Sequence, residues 1–307
     1  MQSIVSLEVT AVDSARTART SGSKRLGTGI VIDSAGLIVT AGDLIVEAET
    51  LSVTFSSGEV LNADVVAYDY STGLGLVRAN TAMPTIAIEM GESKRVGVDD
   101  LAMIIPASGE EDAVAVKVGK ISPYSGGWEH IIDGALHTYP PSTNFIGAAL
   151  VSSEAALLGI GTLVSIDIDI DPKIRVPGNV FIPVDTLSSV MGSLLVNGRS
   201  DTPGRPWIGL DVKKTKLGIA ISSVTDEGPA DNAGLSSGDL LIAVNNRKID
   251  SQNDFFYKLW KNYKPGDEIS LLVLRGSEYR TVSLTASDYY DWLQKPQTQT
   301  RLTELVD

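Results

Sequence analysis

Residues 138–162 read TYPPSTNFIGAALVSSEAALLGIGT, and the rest of the chain is placed from this stretch. Two apolar runs, Gly147-Ala148-Ala149-Leu150-Val151 and Leu157-Leu158-Gly159-Ile160-Gly161, flank the turn-forming Ser152-Ser153-Glu154-Ala155. Short apolar runs bounded by turn residues mark paired, buried strands, and glycine inside such a run marks a close approach of backbones. The stretch is therefore expected to be a strand hairpin, entered through Asn144, Phe145 and Ile146.

The same signal repeats on either side. Residues 3–9, SIVSLEV, alternate apolar and polar side chains as a strand does, and the Ser-, Thr- and Arg-rich residues 10–25 read as a loop. Residues 27–40, GTGIVIDSAGLIVT, form an apolar hairpin turning at Asp33-Ser34-Ala35-Gly36. Further strands are expected at 51–55, 62–68, 102–106 and 113–122. Residues 164–171, VSIDIDID, alternate Ile and Asp. They lack the glycine and distal glutamate of a calcium loop, so an extended strand with Ile166, Ile168 and Ile170 on one face is expected. A helix over 186–196 ends at the C-cap Gly198, and a polar linker follows at 200–205.

Composition bounds the function. The chain has 307 residues, is 43% apolar, and carries 25 Lys and Arg against 38 Asp and Glu, a net charge of −13. That is enough for about two domains. Basic clusters able to neutralise phosphates are absent, so nucleic acid is not an expected partner. With no cysteine there is no disulfide, thiol nucleophile or thiolate metal ligand, and no cofactor or metal is expected. No apolar run reaches membrane-spanning length, and residues 1–9 do not read as a signal peptide.

The hairpin at 27–40 is similar to GSGVIIDxxGYIVTNNHVV, and residues 144–151 fall in step with GNSGGPLV, both patterns of the HtrA (DegP) family of trypsin-like serine proteases. Val180-Phe181-Ile182-Pro183-Val184 is similar to that family's FAIPV. From Pro206 onward, Trp207-Ile208-Gly209-Leu210, Gly228-Pro229-Ala230 and Gly238-Asp239-Leu240-Leu241 resemble an HtrA-type PDZ domain, with a helix over 251–262 N-capped by Ser251. The resemblance implies a mainly β fold: a chymotrypsin-like pair of six-stranded β-barrels over residues 1–200, a PDZ domain over 205–290, and a polar tail over 291–307. It also implies an exported, periplasmic location.

In that frame the position of the family's histidine base is Asp43, that of the orienting aspartate is Gly73, and that of the nucleophile is Ile146. An isoleucine has no proton to lose and no lone pair. The expectation is a pseudoprotease that is no enzyme, with Asp43 capping the next helical turn. A displaced dyad of Ser142 and His137 is disfavoured, both His130 and His137 reading as surface residues. The PDZ domain is expected to bind extended or C-terminal peptides of other proteins, with Trp207, Ile208, Gly209 and Leu210 as the carboxylate loop and Phe255, Phe256 and Leu259 as the facing helix wall. Two alternatives stand beside this scaffold: a serine endopeptidase with a rearranged site, or a regulatory subunit co-assembling with an active relative. A homo-oligomer is also open.

Overall fold

In the computed structural model, which describes residues 2–81, 86–125, 131–171, 174–201 and 204–294, the apolar runs of the N-terminal region form six antiparallel strands that close on themselves. These are β1 (Ile4–Ala11), β2 (Lys24–Val31), β3 (Leu37–Ala41), β4 (Ala48–Thr54), β5 (Val60–Asp69) and β6 (Leu74–Ala79), in the barrel order β1-β2-β3-β6-β5-β4. Single helical turns α1 (Ala18–Ser21) and α2 (Gly42–Ile45) interrupt them. The β2–β3 turn is held by Asp33, whose Oδ1 accepts hydrogen bonds from the N–H groups of Ala35 and Leu37 at 2.8 Å each.

A second closed barrel follows, ordered β10-β11-β12-β9-β8-β7. Its strands are β7 (Leu101–Ile105), β8 (Val114–Ser125), β9 (Ile131–Tyr139), β10 (Ala149–Val151), β11 (Leu157–Asp171) and β12 (Ile174–Pro183). The opening stretch supplies β10 and the start of β11, paired antiparallel through Ala149–Ile160 and Leu150–Gly159. One apolar cluster runs through both barrels, from Ile30, Val39 and Leu76 to Ala149, Ile160 and Ile182, all fully buried. Each such side chain contributes about 1.5–3 kcal/mol, so the barrels hold one another and the cleft between them. The helix α3 (Val184–Asn197) closes this unit and ends at Gly198, whose left-handed backbone donates N–H to Leu194 O.

The alternation expected at 164–171 is interrupted. Register shifts within β11 between Ser165 and Ile168, so Ile166 is 79% exposed while Ile168 is fully buried, and the two do not share a face. The side chain of Ile170 lies outside the described residues.

A second compact unit is formed by Asp201–Leu293 together with Ser125 and Ile131. It contains β13 (Pro206–Trp207), β14 (Leu210–Thr215), β15 (Gly218–Val224), α4 (Pro229–Asn232), β16 (Leu240–Val244), β17 (Arg247–Lys248), α5 (Gln252–Asn262), β18 (Glu268–Arg275), β19 (Glu278–Thr285), β20 (Ser287–Asp288) and α6 (Tyr289–Trp292). The main sheet runs β14-β15-β16-β18-β19, and β14 is its edge strand. α5 starts at Ser251, whose Oγ accepts the Asp254 N–H at 3.0 Å. At the end of this unit Tyr289 is buried with its ring 5.4 Å from that of Trp207, and the start of the expected tail is packed too, the Trp292 ring lying 5.3 Å from Trp207. The fold is the expected one, two six-stranded barrels and a PDZ domain. Among the described residues no helix is long and apolar enough to cross a membrane.

Candidate functional site

The barrel unit brings four backbone segments together. Gly42 N donates to Gly73 O at 2.8 Å, which lays the β5–β6 turn against the first residue of α2. Thr28 N donates to Ile146 O at 2.9 Å, joining β2 to the approach of β10. At Gly147, with φ +72°, a Cβ would sit 1.9 Å from Thr28 O and 2.5 Å from Thr40 Oγ1, so only glycine fits there. An added Cβ at Gly27 would meet Leu44 Cδ2 at 2.7 Å and Ile146 O at 3.1 Å. Asp43 and Gly73 thus lie on segments tied through Gly42, and Ile146 on a segment tied to β2. Beside Ile146, itself 37% exposed, opens a cavity of about 300 Å³ whose wall includes the hydroxyl residues Thr28, Ser108 and Thr143 and the ring of Phe145.

Asp43 is not a helix cap. α2 spans Gly42–Ile45 with Ala41 at the N-cap and no side-chain cap bond, so Asp43 lies inside the first turn. Its partly buried carboxyl is pushed up to about 6 by desolvation, against the pull of the Arg25 guanidinium. Arg25 is committed elsewhere as well: its guanidinium donates to Gly22 O, Asp43 O, Val46 O and Thr17 Oγ1 at 2.6–3.1 Å. Sequence reasoning missed this arginine. A basic residue in an apolar-flanked strand was the available signal.

His137 is a buried residue of β9, not a surface one. Its Nε2 lies 3.4 Å from both Oγ and O of Ser122. Ser142 is held by Asn179, donating N–H to Oδ1 at 2.7 Å and accepting Nδ2–H at 3.1 Å, and its Oγ accepts from Asn144 N–H at 3.3 Å. No Ser142–His137 hydrogen bond forms. His130 lies outside the described residues. Gly147 N–H is spent on Gly161 O at 2.8 Å, and Ala148 N–H on Phe145 O at 3.0 Å. The N–H of Ile146 has no hydrogen-bond partner among the described residues.

In the second unit, Trp207, Ile208 and Leu210 are buried and Gly209 turns at φ +77° between them. A Cβ on Gly209 would lie 3.3 Å from both Thr225 Cβ and the Trp207 ring. Ile208 O accepts from Ala230 N and Gly209 O from Thr225 N at 2.9 Å each, so the loop's carbonyls fasten it to α4 and to the end of β15. α5 packs beside β14. Phe255, Phe256 and Leu259 are fully buried in the unit's core with Leu210 and Val212, where they anchor α5 on the sheet instead of facing solvent.

A trypsin-like peptidase domain family matches residues 27–160, and a PDZ domain family matches residues 206–285. Along both, the serine endoprotease DegS of Escherichia coli (strain K12) is 26% identical over 283 residues, covering 87% of this chain and 78% of that protein. The chain carries a trypsin-like peptidase domain and a PDZ domain, and along both it is similar to HtrA-type proteases. Another HtrA-type relative, the probable periplasmic serine endoprotease DegP-like of Brucella suis biovar 1 (strain 1330), is 26% identical over 282 residues, 84% of this chain and 52% of that protein. Among solved structures, the HtrA-type protease AlgW with tripeptide has a TM-score of 0.53 at 20% identity, covering 97% of this chain and 95% of that one. The serine endoprotease from Yersinia pestis has a TM-score of 0.50 at 24% identity, covering 93% and 94%. At those identities the solved structures speak for the HtrA fold alone. The relatives matched along both units are serine endoproteases, and this overturns the reading of the chain as no enzyme.

Proposed function

We propose that this chain captures extended peptides of other proteins in its PDZ unit, the peptide adding as a strand along β14. The observation behind this is the position of β14: it is the edge of its sheet, pairing only with β15 among the described strands, and α5 packs beside it. An edge strand presents a row of backbone donors and acceptors that an added strand satisfies, while a neighbouring helix gives the trough a wall. In this reading Trp207, Ile208, Gly209 and Leu210 form the loop that receives a terminal carboxylate. Phe255, Phe256 and Leu259 act from within, fixing the distance between α5 and β14. The proposed domains are the barrels over 1–200, the PDZ unit over 205–290 and a tail beyond. An exported location is supported by the relative named as periplasmic.

The test is a fluorescence anisotropy screen of the full chain against peptides with free and amidated C-termini and varied last residues. Binding confined to free C-termini with an apolar last residue supports the reading. Absence of any binder up to about 1 mM, where the binding free energy is only about −4 kcal/mol, sinks it.

A second reading, endoproteolysis by a rearranged site, is favoured by two observations in the barrel unit. Burial pushes the Asp43 carboxyl up to about 6, within reach of duty as a proton acceptor at neutral pH, and the unpaired Ile146 N–H is a donor that an oxyanion could use. Ser6, Thr28, Ser108 and Thr143 supply the cleft's hydroxyls. This reading expects casein hydrolysis that rises with pH through about 6 and is abolished in Asp43→Asn. It also expects fluorophosphonate labelling at one of those four hydroxyls. Hydrolysis unchanged in Asp43→Asn contradicts it.

A further inference from the structure

The face of the PDZ sheet turned away from its core holds a separate open cavity of about 600 Å³. Side chains alternate along strands, so with Leu241 and Val273 in the core, their neighbours Leu240 and Leu274 face outward. The cavity floor is a row that crosses four strands. Lys213 on β14 pairs with Ala220 on β15, Ala220 with Leu240 on β16, and Leu240 with Leu274 on β18. Ala220 is the small member of the row, and the floor dips there. Leu217, 83% exposed at the β14–β15 turn, stands at the rim.

The rim is cationic. Residues 213–216 read KKTK, and both Lys213 and Lys216 line the cavity. The side chains of Lys213, Lys214 and Lys216 make no hydrogen bond or ion pair among the described residues. Lys213 and Lys216 place two unpaired ammonium groups beside this apolar floor, in a chain of net charge −13. An acidic partner is repelled by the molecule as a whole and attracted here, so the patch selects both partner and orientation. Apolar floors with a few placed charges, at volumes of about 300–1,000 Å³, are the usual form of a binding site.

We propose that this face docks an acidic peptide segment of a partner protein. One apolar side chain of the segment sits over Ala220, Leu240 and Leu274, and flanking carboxylates pair with Lys213 and Lys216. The site is distinct from the β14 edge and Gly209 loop, and stands or falls independently of them.

The probe is a fluorescein-labelled peptide of sequence DELDE with an amidated end, which offers no terminal carboxylate to the Gly209 loop. Anisotropy with the full chain should show saturable binding, weakened at least about tenfold by Lys213→Glu with Lys216→Glu, as expected when two attractive charges become repulsive. Ala220→Leu, which fills the dip, should weaken it similarly, and the neutral analogue NQLNQ should bind at least about tenfold more weakly. Gly209→Val should leave it unchanged. The lysine variants alter exposed groups only, so they keep the test usable where Ala220→Leu fails to fold. Equal affinity for the neutral analogue, indifference to the lysine changes, or loss through Gly209→Val overturns the proposal. So does binding of laurate without the peptide, which points to an amphiphile. Self-association that depends on Lys213 and Lys216, without peptide binding, overturns it in favour of a second copy of the chain.

Discussion

At the scale of single residues, Asp43 is the group whose chemistry is most altered by its setting. Its folded-state pKa of about 6 lies above the ordinary 3.8, so folding favours the protonated form. The stability that this contributes is fully present below pH 3.8 and is lost as the pH rises through about 6. Two units correspond to about 3 kcal/mol at most, and partial exposure lowers that. Urea denaturation of the wild type and Asp43→Asn at pH 4 and pH 7.5 should show the variant gaining relative stability at the higher pH, by about 1–3 kcal/mol. Equal differences at both pH values contradict the assignment. The place of Asp43 three residues after Thr40 is legible in the sequence, but its pKa is not, because desolvation depends on what the fold packs around it. Glu47 gives the same lesson: at φ +56° its carboxylate accepts from Thr17 N, Thr17 Oγ1 and Gln294 N at 2.6–2.8 Å, ties between residues far apart in sequence.

At the scale of elements, local signals were sufficient where the chemistry is local. The Asp33–Gly36 turn, the Ser251 cap and the Gly198 C-cap all depend on residues within a few positions of one another. Replacing Ser251 by Ala removes the acceptor for Asp254 N–H, and thermal denaturation should report a loss of about 1 kcal/mol. A loss below about 0.3 kcal/mol would show the cap to be dispensable. On α5, Lys258 Nζ donates to Asp254 Oδ2 at 2.6 Å and to Lys248 O at 2.7 Å. Alternation misled in β11, because a bulge after Ser165 reverses the faces and leaves no mark in the run of Ile and Asp. Buried and groove-lining aromatics look alike in sequence: Phe255 and Phe256 pack with tilted rings 5.1 Å apart inside the core. Trp207 stands too far in sequence from Tyr289 and Trp292 for their rings to be paired before the fold is known.

In the whole molecule, one unit is a pair of barrels with a cleft beside Ile146, and the other is a PDZ unit with an open edge strand. Peptide capture at that edge is the central claim, and Gly209 is where it is most exposed to test. Its φ of +77° and the 3.3 Å approaches that a Cβ would make to Trp207 and Thr225 leave no room for a branched side chain. Isothermal titration of the full chain with a peptide ending in a free apolar residue should give micromolar affinity, about −8 kcal/mol. Gly209→Val should weaken it at least about tenfold, while both proteins keep the same near-ultraviolet circular dichroism. Equal affinities in the wild type and Gly209→Val would contradict capture by the Trp207–Leu210 loop.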